Sequence, residues 1–270
     1  MKLAFLGPAG TFGEEAALRY APDASLVPCP SHSAVARAVE AAEADAGMLA
    51  IENSINGSVA ETLDVFIHQT RLRIQAELLL PIELFLVARP GTRAEDVRLI
   101  SSHSQPLGQC REFLARCFPD AQLEAALSTS AAVEAAMHRE HAAAIGTRRA
   151  AEIFGADVLE SHIQDVATNV TRFVVVGEGA VPPTGRDRTS IAFTFADDRP
   201  GSLAGVLAEF AKVGINCSKI ESRPTRATLG EYVFLVDFDA HANSAEGSAV
   251  LDAIRPLCAE VKVFGSYPRA

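Results

Sequence analysis

Short apolar runs alternate with helical patterns over residues 2–176, and this alternation restricts the folds open to the chain more than any other feature. The predicted strands are 2–6, 46–51, 74–80, 82–88, 97–101, 142–145 and 172–176, and the predicted helices are 14–20, 35–44, 59–69, 107–118, 131–139 and 148–154. Repeated strand-then-helix order predicts a largely parallel sheet with helices on both faces. No helical pattern separates the two strands that flank Pro81, so we predict that the chain crosses there between two lobes.

A different pattern follows a stretch rich in proline and glycine. Residues 179–188 begin Gly-Ala-Val-Pro-Pro-Thr-Gly, which predicts a linker. Residues 189–270 then read strand, helix, strand, strand, helix, strand, the βαββαβ order of a ferredoxin-like α+β fold. The first of these helices carries a single apolar stripe, formed by Leu203, Val206, Leu207, Phe210 and Val213. We therefore predict two domains, 1–178 and 189–270.

Charge and cysteine content exclude several classes of partner. The chain has 24 basic and 34 acidic residues, a formal net charge of −10, so its surface as a whole repels nucleic acid and anionic membranes. Its five cysteines form no C-x-x-C pair and no metal-ligand spacing, which predicts reduced thiols and no metal site. No apolar stretch has the length of a membrane span or a signal sequence. We expect a cytoplasmic protein without nucleic acid or membrane partners.

Polar residues follow three of the predicted strands, at corners that lead into a helix. The first corner, residues 7–14, holds Thr11 and Glu14 in the order of a capping box, so helix N–H groups there would favour an anion. An ordinary capped helix explains these residues equally well. The second corner, residues 52–58, has more polar side chains than a turn and a cap require, which favours a binding role. The third, residues 101–106, includes His103, which could transfer protons, although a solvent-facing histidine is the more common outcome.

A fourth group of polar residues lies at the start of the last strand of this region. A hydroxyl, a guanidinium and an aromatic ring, from Thr171, Arg172 and Phe173, emerge together, with Asn169 just before them. Open α/β sheets place ligand-binding groups at strand ends. The tripeptide therefore predicts one wall of a binding site.

With these corners in place, the chain resembles bacterial prephenate dehydratase over nearly its whole length. The motifs are Gly-Pro-Ala-Gly-Thr-Phe at 7–12, Ile-Glu-Asn-Ser at 51–54, Ser-His-Ser-Gln-Pro-Leu-Gly-Gln-Cys at 102–110, Ile-Gln-Asp at 163–165 and Asn-Val-Thr-Arg-Phe at 169–173. Arg-Pro-Gly-Ser-Leu at 199–203 and Ile-Glu-Ser-Arg-Pro at 220–224 resemble an ACT regulatory domain. Ala50, Ser104 and Val170 depart from residues common in the family, which affects loop rigidity and packing more than chemistry.

The resemblance implies a fold and a reaction. The fold is a bilobal α/β catalytic domain like the type 2 periplasmic binding proteins, followed by the α+β ACT domain. The reaction converts prephenate to phenylpyruvate, releases carbon dioxide and water as the ring becomes aromatic, and needs no cofactor. Aromatisation drives it, so the enzyme must mainly orient a dianion, protonate the departing hydroxyl and leave the ring carboxylate free to fragment.

The resemblance also implies catalytic roles. We expect the Thr171 hydroxyl to donate a hydrogen bond to the leaving oxygen, with Glu52, if burial holds it protonated, or His103 as the ultimate proton source. We expect Arg172 on the pyruvyl carboxylate or in a supporting position, because a guanidinium on the ring carboxylate would stabilise the charge that decarboxylation removes. Phe173 would pack beneath the ring or the strand. The expected substrate-binding residues are Thr11, Asn53, Ser54, Gly57, His103, Gln105 and Asn169.

For the ACT domain, the resemblance implies regulation by L-phenylalanine. The start of the first ACT helix offers free N–H groups that suit a carboxylate, and the neighbouring strand supplies polar side chains. Such pockets usually form between paired ACT domains, so we expect a homodimer or a homotetramer. A dimerisation module without a ligand is the alternative. The expected effector residues are Gly201, Ser202, Leu203, Ala204, Asn216, Glu221, Ser222 and Arg223.

Two other functions stay open. Arogenate dehydratase performs the same chemistry on the amino acid instead of the keto acid, and sequence separates the two poorly. A non-enzymatic amino-acid-binding regulator would share the bilobal fold, because a fold by itself does not determine function. Such a regulator would be expected to carry a DNA-binding module or an export signal, and the sequence shows neither pattern.

Overall fold

A computed structural model describes residues 1–197, 199–226 and 230–270. Contacts divide the chain into two compact units, Met1–Thr62 with Leu78–Phe173 and Leu63–Glu77 with Val174–Ala270. The strands are β1 (Lys2–Leu6), β2 (Ser25–Cys29), β3 (Ala46–Asn53), β4 (Gly57–Ser58), β5 (Arg73–Pro81), β6 (Phe85–Ala88), β7 (Leu99–Ser102), β8 (Gln122–Ala125), β9 (Ala142–Gly146), β10 (Asp157–Ser161), β11 (Val170–Gly177), β12 (Asp187–Thr194), β13 (Cys217–Pro224), β14 (Tyr232–Phe238) and β15 (Glu260–Pro268).

The α-helices are α1 (Phe12–Tyr20), α2 (His32–Glu40), α3 (Ala60–Asp64), α4 (Ser104–Gln109), α5 (Arg111–Cys117), α6 (Thr129–Met137), α7 (Arg148–Phe154), α8 (Ser202–Lys212) and α9 (Ala245–Ile254). A π-helical turn covers Val65–Gln69, and 3₁₀ turns cover Ala94–Asp96 and Arg255–Leu257. Among the described residues, no helix is long and apolar enough to cross a membrane.

The first sheet has the strand order β2-β1-β3-β11-β5, with β4 paired to β3. Strand β1 is parallel to both β2 and β3, and helices α1 and α2 pack on these strands. Leu3, Phe5, Met48 and Leu49 in β1 and β3 are almost completely buried. Continuous burial of this kind is typical of parallel strands that are covered on both faces.

The second sheet has the order β10-β6-β9-β7-β8. Strand β7 is parallel to β8 and β9, whereas β6 is antiparallel to β9 and β10. The region contains two sheets, as the predicted crossover between two lobes requires, and the second sheet is mixed where a largely parallel one was predicted. Strand β5 ends at Pro81 and β6 begins shortly after it, and the two strands belong to different sheets. This is the two-lobed topology that the resemblance implied.

Two predicted helices are divided in the structure. The helix predicted over 107–118 is interrupted at Cys110, because the Asp165 carboxylate accepts hydrogen bonds from the N–H groups of Glu112 and Phe113 at 3.0 and 3.2 Å and so gives α5 its own start. Cys110 is buried at this interruption, while Cys117 in α5 is exposed. The helix predicted over 59–69 ends as α3 and continues as the π-helical turn.

The second unit contains the predicted βαββαβ fold. Its sheet has the order β13-β14-β12-β15, and all neighbouring strands are antiparallel. Val206 and Phe210 of α8 belong to the buried core between this sheet and its helices. The α/β fold class implied by the resemblance, a bilobal catalytic domain with an α+β ACT domain, is confirmed.

Residues 63–77 also lie in the second unit, next to the ACT strands. Phe66 stacks on Phe264 with 5.2 Å between ring centroids. Arg188 Nη1 lies 2.6 Å from the Glu77 carboxylate; the Glu77 side chain is buried, and that of Arg188 is 12% exposed. An ion pair at this distance links the two segments, because losing it would cost the buried Glu77 carboxylate a charged contact.

Candidate active site

Three side-chain hydrogen bonds and one backbone hydrogen bond join four amide residues of the first unit into a closed circuit. Asn53 Nδ2 donates to Asn169 Oδ1 at 2.7 Å, and Asn169 Nδ2 donates to Gln109 Oε1 at 3.1 Å. Gln109 Nε2 donates to Asn56 Oδ1 at 2.9 Å, and the Asn56 backbone N–H returns to Asn53 Oδ1 at 3.0 Å. We call these four residues the amide ring. Each accepts from one neighbour and donates to the next, so the bonds polarise one another in a single direction.

Both sheets supply residues to the amide ring. Asn53 ends β3, Asn56 lies in the turn to β4, and Asn169 directly precedes β11, all in the first sheet. Gln109 ends α4, which follows β7 of the second sheet. Asn169 is completely buried, so its amide could not be left unpaired without a penalty. The amide ring therefore joins the two lobes where β11 begins.

The Thr171 hydroxyl is attached to this ring through Asn53. Asn53 Nδ2 donates to Thr171 Oγ1 at 2.9 Å, and Thr171 is only 9% exposed. A hydroxyl has one proton to donate and two lone pairs to accept. Because Thr171 Oγ1 is the acceptor in this bond, the bond does not use the Thr171 proton.

Arg172 and Glu52 face each other from the neighbouring strands β11 and β3. Arg172 Nη2 lies 3.3 Å from Glu52 Oε2, and the side chains are 7% and 36% exposed. The Glu52 carboxylate is thus only partly buried and lies within ion-pair distance of the Arg172 guanidinium. Phe173, the next residue of β11, is buried.

A family model for prephenate dehydratase matches residues 3–180 of the chain. The chain belongs to the prephenate dehydratase family. A model of the ACT domain matches residues 189–255 of the enzyme. The prephenate dehydratase of Mycolicibacterium vanbaalenii is 38% identical over 284 residues, which cover 98% of this chain and 90% of the relative. The resemblance inferred from the motifs is confirmed, and the enzyme is a carbon–oxygen lyase.

Two solved structures share the whole fold. The prephenate dehydratase of Arthrobacter aurescens, solved in complex with L-Phe, has a TM-score of 0.91 and 39% identity, and the match covers 100% of this chain and 90% of that one. A protein described as a novel type of quorum quenching acylase, GqqA, also has a TM-score of 0.91, with 25% identity and coverage of 100% and 98%. Since one fold is associated with two named activities, the activity depends on the residues of the site and not on the fold alone.

The first corner does not form the capping box that was predicted for the enzyme. The Thr11 side chain makes no hydrogen bond to the helix and instead donates to the carbonyl oxygens of Leu6 and Pro8, at 3.2 and 2.9 Å. The Glu14 carboxylate accepts from the Gly10 N–H at 2.6 Å rather than from Thr11. The single Thr11 proton is thus used within the loop, and its hydroxyl shapes the loop before it can contact a substrate.

This loop is anchored to the second sheet. Ser130 of α6 donates to the Ala9 carbonyl, and Thr147, which caps α7, donates to the Gly10 carbonyl at 2.8 Å. Gly10 has a φ of 82°, in the region that favours glycine, and a Cβ there would lie 2.8 Å from Ser130 Oγ and 3.0 Å from the Cα of Ala150. The Gly-Pro-Ala-Gly motif is therefore a close contact between the lobes.

The other predicted substrate residues hold backbone segments. Ser54 Oγ accepts from the Val170 N–H at 2.9 Å, and the Ser54 N–H donates to the Val170 carbonyl at 2.9 Å. Gly57 begins β4 and pairs with Asn53. His103 Nδ1 accepts from the Gln105 N–H at the start of α4, and the Gln105 side chain is exposed.

Gln109 and Asn56 belong to the amide ring, although sequence reasoning did not select them. Gln109 lies four residues after Gln105, hence on the same helix face, and directly before the buried Cys110. This position on the helix was the feature of the sequence from which Gln109 could have been selected. Asn56 was one of several polar residues in a turn, and nothing in the sequence distinguishes it. Among the residues that the structure describes, no group of three or more His, Cys, Asp or Glu side chains could hold a metal ion.

The predicted effector residues fall into two groups in the ACT domain. Gly201, Ser202, Leu203 and Ala204 begin α8. Ser202 Oγ accepts from the Arg199 N–H at 3.1 Å, and Leu203 packs against the ACT core. Gly201 and Ala204 are exposed. The first turn of α8 is therefore partly exposed.

The second group lies on and beside β13. Glu221 lies 3.5 Å from Lys219 and 3.6 Å from Arg223, while Ser222 is exposed. Arg223 Nη2 donates to the Asp64 carboxylate at 3.2 Å. Asn216, just before the strand, donates to Asp239 at 3.2 Å. The first group lies at the start of α8, which follows β12, and the second group lies on and beside β13. Strand β14 separates β12 from β13 in the sheet, so the two groups do not come from adjacent strands of one ACT sheet.

Proposed function

We propose that the enzyme converts prephenate to phenylpyruvate at Thr171 and the amide ring, and that L-phenylalanine regulates this reaction through the ACT domain. The observation that carries the proposal is the hydrogen bond from Asn53 to Thr171, which leaves the Thr171 proton available to a bound substrate. Family membership supports the reaction, and the geometry supports the choice of residues.

The reaction breaks two bonds of the substrate ring. The bond between C1 and the ring carboxylate breaks, its electron pair enters the ring, and the carboxylate leaves as carbon dioxide. The bond between C4 and its hydroxyl oxygen breaks in turn, and that oxygen takes a proton and leaves as water. We assign Thr171 as the donor to this oxygen. A donor fixed before the reaction stabilises developing charge without reorganisation, which is worth on the order of 10²–10³ in kcat.

Arg172 fits a supporting position. Its guanidinium lies beside the Glu52 carboxylate, which offsets its positive charge. A guanidinium on the ring carboxylate would favour the ground state over the transition state and slow the loss of carbon dioxide. We therefore assign Arg172 and Glu52 to orienting β11 and the pyruvyl end of the substrate. Phe173 supports the strand from within the core.

The remaining proposed substrate residues have three different roles. Asn53 and Asn169 act through Thr171, because they fix its hydroxyl from the amide ring. Ser54, Gly57 and Thr11 shape the loops around it. His103 and Gln105 are the proposed substrate contacts from the second lobe, since the helix that they begin is the one that brings Gln109 into the amide ring.

Regulation by L-phenylalanine is supported by the Arthrobacter aurescens structure, which contains that amino acid. We assign the first turn of α8 to the effector carboxylate, because N–H groups at the start of a helix suit an anion. We assign Arg223 a different role, to couple the effector to the active site. It contacts Asp64 at the end of α3, and in the same helix the Thr62 hydroxyl donates to the Ala50 carbonyl at 2.6 Å, two residues before Glu52.

A homodimer or homotetramer is the proposed assembly. Strand β13 lies at the edge of the ACT sheet, and its side chains alternate between half-buried and exposed. An exposed edge strand can pair with a second copy through its backbone groups. Such pairing would bring the β13 residues of one copy near another ACT domain. Light scattering on the eluting protein, with and without L-phenylalanine, measures this, and a monomer under both conditions would reject it.

The activity is tested by incubating the purified enzyme with prephenate and following phenylpyruvate absorbance. Thr171→Val should lower kcat by about 10²–10³ with little change in KM, and Thr171→Ser, which keeps a hydroxyl, should retain most of the activity. Near-normal turnover of Thr171→Val would remove Thr171 from its role. Comparing kcat/KM for prephenate and arogenate separates the two dehydratases. Titration calorimetry with L-phenylalanine tests the effector, and an absence of heat would reject it.

A further inference from the structure

A cavity of about 280 Å³ lies in the second unit, and no residue of the amide ring lines it. One wall is α9 together with the turn that follows it. Ser248, Leu251 and Arg255 line this wall, and their spacing of three and then four residues places them on one helix face. The wall thus offers a hydroxyl, an apolar surface and a guanidinium in sequence.

The opposite wall comes from β5 and β15. Arg73 and Ile74 line the cavity from β5, and Gly265 lines it from β15. The two backbones approach so closely that a Cβ at Gly265 would lie 2.3 Å from the Ile74 carbonyl oxygen. The wall is therefore closed by backbone packing and does not depend on mobile side chains.

The loop between β14 and α9 closes a third side. His241 lines the cavity, is 3% exposed, and uses both ring nitrogens: Nδ1 accepts from the Asn243 N–H at 3.0 Å, and Nε2 lies 3.1 Å from the Val181 carbonyl. The histidine is held rigidly and has no nitrogen left for a ligand. It serves as a fixed wall, while the exposed Asn243 side chain offers an amide.

The charge of this lining is unlike that of the rest of the chain. The chain has a formal net charge of −10, yet the described residues that line the cavity include two arginines and no carboxylate. Arg255 is paired with Asp252 at 2.6 Å. No described carboxylate lies within 4.0 Å of the Arg73 guanidinium. Of the two arginines that line the cavity, Arg73 is thus the one without a carboxylate partner among the described residues.

We propose that this cavity binds a small organic carboxylate. Arg73 holds the carboxylate, because a guanidinium presents paired donors that match its two oxygens. Ser248 and Asn243 supply further donors, and Ile74 and Leu251 pack against the apolar body of the ligand. Pockets for drug-sized ligands measure roughly 300–1,000 Å³, so the observed volume suits a molecule nearer the size of an amino acid. This inference does not rest on the proposed function.

Titration calorimetry with 3-phenylpropanoate tests the site. This probe has a carboxylate and an apolar ring but lacks the amino group of L-phenylalanine, so a pocket that recognises an amino acid through its amino group binds the probe weakly. The wild-type enzyme should bind the probe, and neutral 3-phenylpropan-1-ol should bind at least about tenfold more weakly. No heat with the wild type, or equal affinity for the alcohol, would overturn the proposal.

Two variants locate the binding. Arg73→Gln should weaken it by about tenfold or more, while Arg71→Gln, an equal charge change at an exposed position outside the cavity, should stay within about twofold. Ser248→Phe fills the cavity from the exposed face of α9 and should abolish binding without changing the charge. Unchanged affinity in Arg73→Gln or Ser248→Phe would refute the site. Prephenate turnover by Arg73→Gln should match the wild type, which separates this result from the test of Thr171.

Discussion

Replacement of Asn53 by aspartate should reverse the direction of the Thr171 hydrogen bond. In the structure, Asn53 Nδ2 donates to Thr171 Oγ1 at 2.9 Å and to Asn169 Oδ1 at 2.7 Å, while Asn53 Oδ1 accepts from the N–H groups of Ile55 and Asn56 at 3.0 Å. A carboxylate keeps the two acceptor bonds and so keeps the turn. It presents an oxygen where the donor was, so Thr171 must turn its proton toward position 53 and away from a substrate.

The expected magnitudes follow from the bonds that change. Loss of one preorganised donor to the leaving oxygen should lower kcat by about 10²–10³, or roughly 2.7–4 kcal/mol. Asn53→Asp loses the donor contacts to Thr171, Asn169 and the Val170 carbonyl, which share two amide protons, and at about 0.5–1.5 kcal/mol per proton the predicted loss is about 1–3 kcal/mol in the free energy of unfolding. Asn53→Ala also loses the two acceptor bonds and should cost about 2–6 kcal/mol. The aspartate variant should therefore be the more stable of the two and nearly as inactive.

The decisive assay is a double-mutant cycle on phenylpyruvate formation. If Asn53 acts by directing the Thr171 proton, adding Asn53→Asp to Thr171→Val should lower kcat by no more than about threefold beyond Thr171→Val alone. Urea denaturation of each variant separates loss of activity from loss of fold. The reasoning is refuted if Asn53→Asp keeps kcat within about threefold of the wild type, or if the two losses multiply in the double variant.

Three further predictions concern other parts of the chain. Gly10→Ala places a methyl group 2.8 Å from the nearest side-chain oxygen at a φ of 82°, and should lower the free energy of unfolding by about 2–5 kcal/mol in urea melts; a change under about 0.5 kcal/mol would contradict the close contact. Asp64→Asn should weaken inhibition by L-phenylalanine as Arg223→Gln does, measured as inhibition constants, and an unchanged constant in Asp64→Asn would reject the assigned coupling role. Burial raises the pKa of Cys110 to about 12, so at pH 8 this thiol stays protonated and iodoacetamide should label the exposed Cys117 and spare Cys110; equal labelling by mass spectrometry would contradict this.

Several elements were predictable because their own residues carry the signal. Strands β1, β3, β6 and β9 are buried on both faces, so their apolar runs identify them. The ACT helix α8 has one buried stripe, and its period is visible in the sequence. Thr171 and Asn53 were selected because polar groups at strand ends are rarely needed for folding alone.

Strands β2, β8 and β10 lie at sheet edges and were not predicted. Strand β8 is exposed along its whole length, so it has no apolar alternation to detect. Strand β2 contains Pro28, which argues against a central strand but is tolerated at an edge. Edge strands are defined by the neighbour they pair with, and that neighbour is distant in the chain.

The sequence by itself determined the family, the alternation of strands and helices, and the tripeptide at the start of β11. Those properties are encoded locally, in residue type and spacing. Only the tertiary structure decided that Gln109 and Asn56 close the amide ring with Asn53 and Asn169, that residues 63–77 pack with the ACT strands, and that Arg73 lines a cavity without a carboxylate beside it. The direction of a side-chain hydrogen bond depends on which groups meet across the fold, and segments far apart in the chain set those meetings.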